Sequence, residues 1–85
     1  MYEAEYSPHF VREYKKIPLR VKILAEQKMS LFLSDPFDVR LKTHKLSGRL
    51  SGYFAFWIDY RYRIIFSIIG KIVRLHTVGT HVIYE

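Results

Sequence analysis

Residues 53–78 read YFAFWIDYRYRIIFSIIGKIVRLHTV, three strand-sized segments in a row. Positions 53–60, 62–69 and 71–78 are rich in β-branched and aromatic side chains, which suit a pleated, half-buried surface. Gly70 predicts a tight hairpin between the second and third segments, and residues 59–61 predict the turn between the first and second. Which side of the first strand faces inward stays open, since both parities of residues 53–58 are apolar.

Upstream, residues 36–52 lose periodicity and are dominated by Ser, Gly and Lys, so a loop is expected there. Two helices precede it. Ser7-Pro8 reads as a helix start: the serine caps, and proline at the first helical position lacks only an N–H that has no helical partner anyway. Phe10, Tyr14 and Ile17 follow at i, i+4, i+7. Pro18 divides this helix from a second, where Val21, Leu24, Ala25 and Phe32 keep the helical period. Asp35-Pro36 ends it, because the residue before proline avoids the α region. At the N-terminus, Tyr2, Ala4 and Tyr6 alternate with Glu3 and Glu5, a short strand. The order β-α-α-β-β-β predicts an α+β fold, with two N-terminal helices packed on one face of a mainly antiparallel four-stranded sheet. Eighty-five residues predict a single domain over residues 1–85.

Charge separates the chain into two parts. Residues 1–34 hold six Lys/Arg against four Glu, an ordinary solvated surface. Residues 40–66 hold six cations (Arg40, Lys42, Lys45, Arg49, Arg61, Arg63) against the single acid Asp59, net +5 of the chain's +6. A basic, aromatic surface attracts phosphates and stacks unpaired bases. An anionic membrane would prefer a basic amphipathic helix, whereas these cations fall in a loop and strands. Nucleic acid is the expected partner, and an acidic protein is compatible with it. The chain has no cysteine, which excludes disulfides and thiolate metal sites and suits a reducing compartment. The first ten residues lack a signal-peptide core, and no apolar run approaches the roughly 20 residues that span a bilayer. A cytoplasmic protein without a membrane partner is expected.

The order of elements, the phrase HKLSGRLSGYFAFWIDYRYRIIF and the ending VGTH resemble the RelE/ParE superfamily of bacterial toxins, most of all its RelE/StbE, YoeB and YafQ branches. The resemblance covers essentially the whole chain. Its most specific parts are Leu46-x-Gly48-x-Leu50-Ser51-Gly52, the strand Tyr62-Arg63-Ile64-Ile65-Phe66, and Gly79-Thr80-His81. It implies the toxin of a type II toxin–antitoxin system: an endoribonuclease without metal or cofactor that enters the ribosomal A site, cuts mRNA there, and is silenced by an acidic antitoxin that wraps it. Free of antitoxin, such a toxin is expected to be a monomer.

Position by position, the resemblance implies catalytic roles for His44, Arg63, His81 and Tyr84, and RNA contacts for Lys42, Lys45, Arg49 and Arg61. Two departures accompany it. Trp57 stands where the YafQ pattern has a second strand histidine, and that pattern's strand acid has no aligned match, Asp59 being only nearby. The implied site is therefore two histidines and an arginine.

The chemistry suits those residues. RNA carries its own nucleophile, the 2′-hydroxyl, so a base, an acid and cations on the phosphorane suffice. Histidine, with a pKa of about 6.5, serves either proton role near neutrality. Arginine cannot be a neutral base, but its fork fits two phosphate oxygens. Which histidine is base and which acid stays open. Each residue also has a plain structural alternative: His44 as a surface residue, Arg63 in a salt bridge with Asp59 as the candidate partner, His81 and Tyr84 as a frayed tail, the lysines and outer arginines as solubilising charge. Trp57 reads as core, and His9 and His76 as surface or packing residues. Two rival functions remain, a ParE-like gyrase poison of the same fold and a catalytically inactive RNA-binding relative.

Overall fold

The computed structural model describes residues 1–84. Strand β1 (Glu3–Tyr6) leads into α1 (Pro8–Tyr14) and α2 (Leu19–Ser34). Then come β2 (His44–Lys45), β3 (Phe54–Trp57), β4 (Arg63–Ile69) and β5 (Ile72–Gly79). They form one five-stranded sheet in the order β1-β5-β4-β3-β2. β1 runs parallel to β5, and every other neighbouring pair is antiparallel.

The expected four strands are thus five, and this corrects the sequence-based count. The added strand, β2, is two residues long and pairs His44 with Ala55 and Lys45 with Phe54 along the outer edge of β3. Two residues carry no periodicity, and their extended backbone is set by the neighbour they pair with rather than by their own propensity. The rest of residues 36–52 holds 3₁₀ turns at Val39–Leu41 and Gly48–Leu50.

The helix boundaries follow local chemistry. The Ser7 hydroxyl accepts from the Phe10 N–H (2.9 Å) and donates to the His76 carbonyl (2.8 Å), so one side chain caps α1 and ties it to β5. Pro18 separates the helices and stands at the N-cap of α2, and Asp35 ends α2 in extended geometry. The β4–β5 hairpin turns at Gly70, whose φ of 60° suits glycine. Both helices pack on one face, over a core of Phe10, Ile17, Val21, Ala25 and Phe32 from the helical half and Phe56, Ile64, Phe66, Val73 and Leu75 from the sheet. Phe32 stacks on Phe56 (4.5 Å) and meets Phe66 edge-on (4.8 Å), locking α2 to the sheet.

The opposite face of the sheet carries the alternate residues, Ala55 and Trp57 on β3, Arg63 and Ile65 on β4. Ala55 and Ile65 are buried although no helix covers them. A C-terminal 3₁₀ turn, His81–Tyr84, doubles back after β5. It lies close enough that a Cβ placed on Gly79 would come within 2.6 Å of Ile83 Cγ2. Ala55 on one face of β3 and Phe56 on the other are both buried, so both parities are apolar, which is why its facing was not legible. Among the described residues no helix is long and apolar enough to cross a membrane.

Candidate nucleic-acid site on the open sheet face

Arg63 opens β4 and sits directly opposite Trp57 on β3 and Gly79 on β5. Its guanidinium sits over the indole, 3.8 Å from guanidinium carbon to ring centre. One nitrogen, Nη1, donates to the Asp59 carbonyl (2.8 Å) and the Tyr60 carbonyl (2.6 Å). No carboxylate pairs with Arg63 among the described residues. The rival salt bridge to Asp59 does not form. The Asp59 carboxylate instead accepts the N–H groups of Arg61 (2.9 Å) and Tyr62 (2.8 Å) and faces Arg20 of α2 at 3.4 Å. Partial burial pushes its pKa up, but the hydrogen bonds from Tyr62, Arg61 and Arg20 outweigh this and hold it below the usual carboxylate value.

Arg63 shares a cleft of about 520 Å³ with Trp57, Tyr60, Arg61, Thr80 and His81. Tyr84 lies near Arg63 and near His44: its ring stands 6.3 Å from the His44 imidazole in an edge-on arrangement. Burial raises the Tyr84 phenol pKa, and the Arg63 guanidinium opposes the rise by its positive charge and by its approach to the phenol oxygen. Even so, the buried hydroxyl makes no well-formed hydrogen bond to any described residue. His44 is exposed on β2, with Nδ1 3.2 Å from the Lys42 carbonyl. A carbonyl only accepts, so in this contact Nδ1 is the donor.

The basic residues distribute unevenly. Lys42, in left-handed geometry after a 3₁₀ turn, brings its ammonium to 5.1 Å from the Trp57 ring centre. Lys45 follows His44 on a strand and alternates away from it. Arg49 is exposed and lines a separate depression with His9, Tyr53, His76 and Ile83. There His76 is the extra residue of a bulge in β5, hydrogen-bonded to the Ser67 hydroxyl (2.8 Å) and edge-on to Tyr53 (4.7 Å). Burial, aided by Arg74, lowers the pKa of His76, and its contacts are those of a packed residue.

Lys28 was missed. From α2 it donates to the Trp57 carbonyl at 3.2 Å. Its pKa is lowered by burial, with Asp59 opposing and Lys42 adding to the effect. Sequence shows Lys28 only as one of several helical cations, and nothing local marks which of them turns toward the sheet. Among the described residues no cluster of metal-ligating side chains occurs.

No family model and no curated protein matches the sequence. Solved structures do match. YafQ from Escherichia coli strain BL21(DE3) superimposes with a TM-score of 0.81 at 22% identity, over 98% of this chain and 97% of that one. A YoeB/ParE toxin from Agrobacterium tumefaciens gives 0.77 at 15%, over 93% and 98%. The chain has the fold of the RelE/ParE toxins. The toxin–antitoxin complex RelBE2 from Mycobacterium tuberculosis matches as well, with a TM-score of 0.74 at 20% identity over 94% of this chain and 98% of that one. In this RelE/ParE fold, Arg63 and His81 line one cleft, Tyr84 lies beside Arg63 and His44, and Arg49 lines a different depression.

Proposed function

We propose that the chain is the single-domain toxin of a type II toxin–antitoxin pair, a ribosome-dependent and metal-independent endoribonuclease that cuts mRNA in the A site and so inhibits translation in the cytoplasm. The observation that carries this reading is Arg63: a guanidinium held by main-chain carbonyls, without a carboxylate partner among the described residues, in a cleft shared with His81. An arginine held this way is disposed to bind an anion from outside the chain.

In the proposed reaction His44 Nε2 takes the proton of the 2′-hydroxyl. The 2′-oxygen forms a bond to the adjacent phosphorus while the bond from phosphorus to the 5′-oxygen breaks. His81, as imidazolium, gives its proton to that leaving oxygen, and the products are a 2′,3′-cyclic phosphate and a 5′-hydroxyl. Arg63 holds the phosphoryl oxygens through the transition state, with Tyr84 donating beside it. Lys42 and Arg61 contact the RNA backbone near the cleft, and Lys45 and Arg49 contact it further away. Neighbouring structures solved as toxin–antitoxin complexes support a cognate acidic antitoxin as partner.

The test is cleavage of a defined mRNA on translating ribosomes. The unaltered protein cuts in the A site, and Arg63→Ala and His81→Ala each lose roughly 10²-fold or more in rate. Uncut mRNA together with blocked gyrase supercoiling would replace this reading with a gyrase poison. Ribosome or RNA binding without cleavage would replace it with an inactive relative.

A further inference from the structure

Two aromatic rings border the Arg63 cleft, and their situations differ. Trp57 is half-buried, and its indole already carries the Arg63 guanidinium at 3.8 Å and the Lys42 ammonium at 5.1 Å. Its surface is occupied by the chain's own cations. Tyr60, by contrast, is 80% exposed, more than any other described aromatic ring, and stands nearly perpendicular to Trp57 (84°) at 6.3 Å.

An exposed aromatic at the tip of a turn is ordinarily loose, but this turn is held from several sides. Asp59 accepts the N–H groups of Arg61 and Tyr62 at 2.9 and 2.8 Å. The Ile58 N–H reaches the Tyr62 carbonyl at 2.9 Å. From the cleft side, Arg63 Nη1 binds the Asp59 and Tyr60 carbonyls at 2.8 and 2.6 Å. The ordering cost of presenting the Tyr60 ring is therefore met before any ligand arrives. Arg61 follows in the chain and lines the same cleft, so a cation stands beside the ring.

We propose that Tyr60 is the platform of a nucleobase subsite: one unpaired base of the RNA stacks on its exposed face while the adjoining phosphates lie toward Arg61 and Arg63. This inference rests on the ribonuclease reading above and adds a base-binding residue to it. Because Arg63 grips the carbonyl of Tyr60 itself, the base platform and the phosphate clamp are mechanically one unit, and a base seated on Tyr60 fixes the position of its neighbouring phosphate. Stacking uses the face that every base has, so the subsite tolerates all four bases and favours the larger purines modestly.

The experiment uses the full chain and two probes of equal length and charge, a short single-stranded RNA and its abasic counterpart. Binding is followed through Trp57, the chain's one tryptophan. Tyr60→Ala weakens binding of the base-containing RNA about tenfold or more and leaves the abasic probe unchanged, while Tyr60→Phe leaves both unchanged. The exposure of Tyr60 keeps both substitutions clear of the core, and far-ultraviolet circular dichroism confirms this. If Tyr60→Ala binds both probes as the unaltered chain does, or weakens both equally, the subsite is overturned while the ribonuclease reading stands. If the unaltered chain binds neither probe and leaves ribosomal mRNA intact, the reading beneath the proposal fails with it.

Discussion

The guanidinium of Arg63 rests on the indole of Trp57 at 3.8 Å, and the two residues are direct cross-strand partners in β4 and β3. Register thus builds the stack: strand pairing brings the two Cβ atoms together, and the aromatic face limits where the guanidinium can swing. Main-chain carbonyls at one nitrogen complete the restraint. A charge held in advance stabilises a developing negative charge without reorganising during the reaction.

Trp57→Ala removes a cation–π attraction of about 0.5–2 kcal/mol and frees Arg63 to move. Cleavage on ribosomes should fall about tenfold in kcat with a smaller change in KM. Trp57→Phe, which keeps an aromatic face, should retain most of the activity. Equal rates for Trp57→Ala and the unaltered chain would show that the stack has no part in positioning Arg63.

Gly79 permits a close approach. A Cβ there would lie 2.6 Å from Ile83 Cγ2, so Gly79→Ala must push the His81–Tyr84 turn away from β5. The turn carries His81 and Tyr84, whereas the core lies on the other face of the sheet. Gly79→Ala should therefore reduce cleavage by an order of magnitude or more while thermal stability changes little. Adding Ile83→Ala to the same chain restores space and should recover part of the rate. A large drop in melting temperature would instead assign the turn to the stability of the whole fold.

The segments around 53–60, 62–69 and 71–78 were legible because β-branched and aromatic runs between turn residues leave few alternatives. Pro18 and Ser7-Pro8 gave the helix boundaries for the same local reason. The edge pair His44–Lys45 was not legible, since its extended form comes from pairing with β3. Within the site, Arg63 and His81 were marked only by the family resemblance, and their meeting in one cleft depends on the C-terminal turn folding back. Lys28 needed α2 to be docked before its reach to the Trp57 carbonyl existed at all. Arg49 shows the converse, a residue from the same basic stretch that a 3₁₀ turn carries to a different depression.

Asp59 makes the turn below Tyr60 sensitive to acid. Its folded pKa lies below its ordinary value, so the carboxylate contributes stability that is fully present above the unfolded pKa and is lost as pH falls through the folded one. Asp59→Ala should cost about 1–2 kcal/mol at pH 7 through its lost hydrogen bonds. The gap to the unaltered chain should narrow below roughly pH 4. Denaturant titrations at pH 7 and pH 3 measure both values. A gap that stays constant between them would mean that the ionised carboxylate is not what holds the turn.

Tyr84 offers the sharpest separation of function from stability. Its hydroxyl is buried without a well-formed hydrogen bond among the described residues, and the adjacent Arg63 guanidinium, itself only a donor, offers nothing to accept its proton. An orphaned buried donor costs stability unless a ligand completes it. The proposed ligand is a phosphoryl oxygen of the RNA, held by Arg63 beside it. Tyr84→Phe removes the hydroxyl and keeps the ring that meets His44 at 6.3 Å. The variant should unfold at the same denaturant concentration as the unaltered chain or a higher one, because an unmet polar group has gone. Its cleavage rate should fall several-fold, because the transition state has lost a donor. Together these outcomes identify a hydroxyl kept for substrate. A variant that is both less stable and fully active would show that the hydroxyl has a partner within the folded chain and none in the RNA.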